Sequence, residues 1–273
     1  MNSLSALNAQ QKEAVTTLEG PVMILAGAGS GKTRVIIQRI AHLIQKKQVS
    51  PQQILAVTFT NKAADEMRAR LQEMLSGKQQ GVHLSTFHAL GVSLLRKSIH
   101  HLGYRQNFII YDTRDQYSVI KTIMEDHDID DSGLIDAKLV HSEISRAKSA
   151  GQSPEDFLLQ QESLQKQMVG KIFRHYQKTM KGCNVIDFDD ILNLTLTLFE
   201  NHPEVMDSLT ERFRYIMVDE YQDTNRIQYK LLQHLTKRHR NLCVVGDDDQ
   251  SIYGWRGAEV RNIFDFENDF PEV

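Results

Sequence analysis

The sequence predicts an α/β fold, a parallel sheet flanked by helices and interrupted by a long helical insertion. Three observations carry that expectation. An apolar run from Val22 to Ala26 breaks into glycines and then into a helical pattern, as when a central strand buried on both faces of a parallel sheet feeds a helix. A second apolar run, Ile54 to Val57, follows that helix after the Pro51 turn and completes a strand, helix, strand unit. From about Gly91 to Asn184 strand signals fade and charged helical spacing takes over, which reads as an all-helical subdomain set into the α/β domain.

At 273 residues the chain can build one large core or two modest ones. Its apolar share of 41% is ordinary, and a net charge of −3 lacks the bulk basicity of many nucleic-acid binders, so any such surface must be local. Cys183 and Cys243 show no metal-ligand spacing, which favours buried free thiols and a reducing cytoplasm. The N-terminus is too polar for a signal peptide, and no apolar run approaches a membrane span. A soluble, cytoplasmic protein without a membrane partner is expected.

Taken in order, Leu7 to Leu18 reads as a short helix with Asn8 as its N-cap. Gln11 on it offers an amide suited to an adenine edge, although exposed glutamines are common. The following stretch, Ala26-Gly27-Ala28-Gly29-Ser30-Gly31-Lys32-Thr33-Arg34, has glycines where successive backbone N–H groups can converge on one anion, with a helix start behind them. Lys32 would reach the β and γ phosphates, and the Thr33 hydroxyl would ligate Mg²⁺. Ala26 stands where the usual pattern has glycine, so a plain glycine-rich turn capping a helix is the alternative.

Thr58 to Ala64 leaves the second strand and opens a helix. Phe59 there suits base stacking and Thr60 or Asn61 a phosphate, while Phe59 as core and Thr60 as N-cap fit equally. A short strand from Val82 to Leu84 precedes Ser85-Thr86-Phe87-His88, where His88 is given no proton chemistry.

Within the insertion, Asp128, Asp130, Ser132 and Gly133 imitate the opening of a calcium loop, but Leu139 occupies the place of the bidentate glutamate. Lys171, Arg174, Lys178 and Lys181 form a basic helical stripe, either solvated or facing phosphates. Asp187 reads as an N-cap opening the return to the sheet, giving expected domain segments 1–88, 89–186 and 187–273.

Arg214 to Val218 is a strand that ends in Asp219-Glu220. Asp219 suits the Mg²⁺ shell and Glu220 the activation of a water, because adjacent residues face opposite ways. Leu242 to Val245 is the last strand, followed by Gly246 to Gly257. Three consecutive aspartates there would repel a triphosphate unless they turn away, cap a helix or meet Mg²⁺. Gln250 is the better γ-phosphate sensor, and Tyr253, Trp255 and Arg256 offer flat faces and a guanidinium to single-stranded nucleic acid.

Taken together, Leu7-Asn8 with Gln11, Ala26 to Arg34, Thr58 to Ala64, Ser85 to His88, Asp187 to Asp190, Val218 to Asn225 and Gly246 to Ala258 resemble superfamily 1 DNA helicases of the UvrD, PcrA and Rep group, nearest its Rep branch. The resemblance covers essentially the whole chain, and Ala26 is common in that group. It implies a RecA-like ATPase domain with a helical accessory insertion, using ATP and Mg²⁺ to move 3′ to 5′ on single-stranded and 3′-tailed duplex DNA. Lys32, Glu220 and Gln250 would be catalytic, Thr33 and Asp219 would hold the metal, and Gln11 with Ala26 to Arg34 would bind the nucleotide. Phe59, Thr60, Asn61, Thr86, His88, Tyr253, Trp255 and Arg256 would meet DNA. Such helicases bind ATP between two lobes, so a chain ending at Val273 is expected to be a fragment that lacks its C-terminal half and is weak or inactive alone. Other classes that fit are a nucleotide switch that does not hydrolyse and, less well, an RNA helicase or the motor of a helicase-nuclease.

Overall fold

The computed structural model describes residues 3–129, 135–159, 163–247 and 261–273. In chain order its elements are α1 Ala9–Thr16, β1 Val22–Leu25, α2 Lys32–Gln45, β2 Ile54–Thr58, α3 Asn61–Leu75, β3 His83–Thr86, α4 Phe87–Ser98, β4 Ile109–Ile110, α5 Thr113–Asp126, α6 Ala137–Ser149, α7 Pro154–Leu159, α8 Leu164–Gly182, β5 Val185–Ile186, α9 Phe188–Asn201, α10 Pro203–Arg212, β6 Tyr215–Val218, α11 Arg226–Thr236, β7 Leu242–Gly246 and α12 Arg261–Asp269. The described residues of Met1–Leu90 and Pro203–Val273 form one compact unit, and those of Gly91–His202 form another. Among the described residues, no helix is long and apolar enough to cross a membrane.

The first unit is built on a five-stranded sheet in the order β1-β7-β6-β2-β3, parallel throughout. Every residue of β2 and β7 is buried, which explains why those runs are apolar without alternation. On α2, Ile36, Ile40 and Leu43 recur at helical spacing and pack with Ile54, Met217 and Val245 of the sheet. The expectation of a central position for the first strand is corrected. Among the described residues β1 pairs with β7 and lies at the sheet edge, so its first three residues are half-buried and Leu25 is exposed. Its apolar run resembles that of an inner strand, but strand order is set by crossovers far along the chain.

The second unit gathers α5, α6 and α8 around Ile120, Val140, Ile144, Val169 and Phe173. It is not all-helical: β4 and β5 form a parallel pair with Ile109 opposite Val185. Strands of two residues are too short to show alternation in sequence. Asp187 caps α9 in a reciprocal box with Asp190, as its acidity suggested. Both carboxylates also hold the buried Lys148, whose Nζ lies 2.5 Å from Asp187 Oδ2 and 2.8 Å from Asp190 Oδ1. Burial opposes the Lys148 charge, but the two acids outweigh it and raise its pKa. Through these pairs α9 packs with α6, so the packing boundary follows His202 where the sequence suggested Asp187. On α8, Lys171, Arg174, Lys178 and Lys181 are exposed, with Arg174 paired to Glu155 at 3.1 Å and Lys181 over the Tyr104 ring. Asp130, Ser132 and Gly133 lie outside the described residues.

Candidate functional site

Parallel register brings the C-terminal ends of β1, β7 and β6 together. Leu25 lies opposite Gly246 and Val218 opposite Val244, and Ala26 N donates to Gly246 O at 3.1 Å. Between β1 and α2 the chain turns through Gly29 at φ +73° and Gly31 at φ +86°, a region that disfavours a residue with a Cβ by about 1–2 kcal/mol. Gly31 is the N-cap of α2 and provides no side-chain cap. The first-turn N–H groups of α2 therefore remain available to an anion, with the helix dipole behind them.

Lys32 Nζ donates to Ala26 O at 2.8 Å and to Asp247 Oδ2 at 2.9 Å. One helical position on, Thr33 Oγ1 donates to Asp219 Oδ2 at 3.1 Å. Asp219 is buried, and its other oxygen accepts from Glu220 N at 3.1 Å. Burial first, and then the Glu220 charge, push the Asp219 carboxyl up to about 6. A buried carboxylate beside a hydroxyl is a pair of hard oxygen donors that gains from a cation, so these residues fit Mg²⁺. Glu220 takes the left-handed conformation at φ +53°, and its Oε2 accepts from Gln222 Nε2 at 2.8 Å.

Gln11 lies against the loop. Its Oε1 accepts from Asn8 N at 3.1 Å, completing a capping box, and its Nε2 donates to Ser30 O at 2.9 Å. Gly27, Ala28, Gly29, Ser30 and Arg34 are exposed around this turn.

The residues expected to meet DNA divide into two groups. Thr58 lies opposite Thr86 across β2 and β3, so Phe59 to Asn61 and Thr86 to His88 leave the same sheet edge. Phe59 and His88 are half-buried there. Thr60 caps α3 by accepting from Ala63 N at 3.1 Å, while the Thr86 hydroxyl accepts from Ala89 N at 3.1 Å and donates to Asn61 Oδ1 at 3.5 Å. Gln250, Tyr253, Trp255 and Arg256 lie outside the described residues.

Sequence reasoning overlooked Asp247 as the partner of Lys32 and Gln222 as the partner of Glu220. The three aspartates were noticed, but singling out Asp247 needs the pairing of Leu25 with Gly246, which sets the next residue beside Ala26.

Backbone amides converging on an anion, with a lysine and two acids on the same edge of a parallel sheet, are the working parts of P-loop nucleoside triphosphatases, and the first unit is a domain of that class. The chain belongs to the UvrD/REP helicase family, since residues 7–271 match the UvrD/REP helicase N-terminal domain. It is 46% identical to the ATP-dependent DNA helicase PcrA of Staphylococcus epidermidis (strain ATCC 35984 / RP62A) and to that of Staphylococcus aureus (strain Mu50), over 100% of this chain and 37% of each relative. It thus spans little more than a third of the length of these relatives.

Proposed function

We propose that this chain is the ATP-binding portion of a DNA helicase that moves 3′ to 5′ along single-stranded DNA, engages 3′-tailed duplexes and draws its second RecA-like lobe from a longer protein. The observation that carries this reading is the joint placement of Lys32, Thr33, Asp219 and Glu220 on one sheet edge. Membership of the UvrD/REP family supports the choice of DNA as the track.

In this reading Lys32 and the first-turn amides of α2 hold the β and γ phosphoryl oxygens. Thr33 and Asp219 would hold Mg²⁺, which when bound neutralises charge on those oxygens. Glu220 takes a proton from a water whose oxygen bonds to the γ phosphorus. The bond to the bridging oxygen breaks, and its electron pair leaves with ADP. Gln11 and Arg34 serve the base and phosphate side, and Gln250 senses the γ phosphate. Phe59, Thr60, Asn61, Thr86 and His88, with Tyr253, Trp255 and Arg256, form the DNA face. Arginines of a second RecA-like lobe would complete the charge balance in the transition state. A DNA substrate and free thiols support a cytoplasmic home; Cys243 is buried as expected, whereas Cys183 is exposed.

DNA-stimulated ATP hydrolysis by the full-length protein, compared between wild type and Glu220→Gln, tests this. A loss of about 100-fold or more with nucleotide binding retained is expected. Equal turnover would remove Glu220 as the base, and the absence of turnover in both would make the site a nucleotide switch.

A further inference from the structure

Glu220 sits where the strand turns, in a left-handed conformation that side chains with a Cβ seldom adopt. Among the described residues, Gln222 is the hydrogen-bond donor to its carboxylate. Gln222 is almost completely buried at 1% exposure, and its amide is used on both sides. Nε2 donates to Glu220 Oε2 at 2.8 Å, and Oε1 accepts from the Asp247 backbone N–H at 3.0 Å. A carboxylate needs a donor and an N–H needs an acceptor, so the two partners demand the same amide orientation. Asp247 in turn grips Lys32 with its side chain at 2.9 Å. The result is one unbroken chain, Glu220 to Gln222 to Asp247 to Lys32, joining the end of β6 to the end of β7 and to the glycine loop.

The backbone leaves room for this. A Cβ on Gly246 would lie 3.0 Å from Gln222 Oε1 and 3.6 Å from Tyr221 Cβ, so glycine at the end of β7 lets the amide lie against the strand. A purely structural buried glutamine would need partners of any kind. This one bridges the carboxylate read as the base and the residue whose side chain holds the loop lysine.

We propose that Gln222 is a positioning residue for ATP hydrolysis: its amide holds the Glu220 carboxylate and ties it, through Asp247, to the state of Lys32. The inference rests on the reading of Glu220 as the base. When phosphate draws Lys32 away from Asp247, Gln222 carries the resulting shift of the Asp247 backbone to Glu220.

The test is steady-state ATP hydrolysis by the full-length protein, with melting temperature as the folding control. Gln222→Met has similar length and neither hydrogen bond, and its kcat should fall about 10- to 100-fold with KM within about 3-fold. Gly246→Ala, which displaces the amide without touching its chemistry, should lower kcat in the same direction by a smaller factor. Should Gln222→Met fail to fold, Gln222→Glu keeps the acceptor for the Asp247 N–H and puts in place of the donor a carboxylate that repels Glu220, so it should show at least the same loss of kcat. Adding Gln222→Met or Gln222→Glu to Glu220→Gln should lower the rate no further, because residues that act as one unit are not additive. Single variants within about 2-fold of wild type, or losses that multiply in the double variant, would overturn the proposal. An inert Glu220→Gln would instead remove the base assignment and this inference with it.

Discussion

Lys32 Nζ lies 2.9 Å from Asp247 Oδ2, and both side chains are nearly buried. The loop lysine thus holds an acid from the neighbouring strand end, in the place from which it would reach a phosphate oxygen. An incoming triphosphate has to compete with that carboxylate, which also repels it.

Replacing Asp247 by Asn removes the competitor while keeping the backbone N–H that Gln222 uses. Affinity for a fluorescent ATP analogue without Mg²⁺ should rise about 3- to 10-fold, or about 1 kcal/mol. Titration of the purified chain checks this, and unchanged or weaker binding would show that Asp247 does not compete.

In the helical unit, Lys148 neutralises Asp187 and Asp190 out of reach of water. Lys148→Met would strand two buried carboxylates and should lower stability by about 3–5 kcal/mol. Urea unfolding followed by circular dichroism measures it. A loss below about 1 kcal/mol would mean that water reaches the acids.

Asp189 gives a pH-dependent prediction. Burial first, and then the charge of Asp187, push its carboxyl up to about 6 from an ordinary 3.8, with the Ser145 hydroxyl as donor. The folded state therefore favours the protonated acid. Its contribution is complete below about pH 4 and is lost as pH rises through 6. Asp189→Asn should match wild type near pH 4 and exceed it by about 1–2 kcal/mol at pH 7. A stability difference that is flat with pH would contradict the shift.

Gly31 sits at φ +86°, and a Cβ there would face Gln11 Nε2 at 3.4 Å. Gly31→Ala should cost about 1–2 kcal/mol, seen as a melting point lower by about 2–8 °C. It should also weaken nucleotide binding, since the amides it displaces form the cradle. Binding equal to wild type would show that the turn tolerates the side chain.

Much of this was legible from local chemistry. Asn8 and Asp187 are caps as their side chains suggested, four of the five strands of the larger sheet fall on apolar runs, and β3 overlaps the short strand expected at Val82–Leu84 but runs on to Thr86. The glycine loop and Asp219 stand out in the sequence because each follows directly on a strand, and Thr33 because it opens the helix behind the loop; their roles belong to the proposed function. What escaped reading depends on tertiary neighbours. Leu25 pairs with Gly246 over a separation that periodicity does not reach, and that pairing puts β1 at the edge and Asp247 beside Lys32. Gln222 was invisible for the same reason, because its importance lies in joining Glu220 to Asp247. The two-residue pair of β4 and β5 gave no pattern to read.

Calorimetric titration of the chain with a non-hydrolysable ATP analogue, with and without Mg²⁺, in wild type, Lys32→Ala and Asp219→Asn tests the central claim most directly. Wild type should bind more tightly with Mg²⁺, Lys32→Ala should lose at least about 10-fold in both conditions, and Asp219→Asn should lose only the gain from Mg²⁺. Lys32→Ala binding as wild type does would contradict the claim that this loop grips the triphosphate.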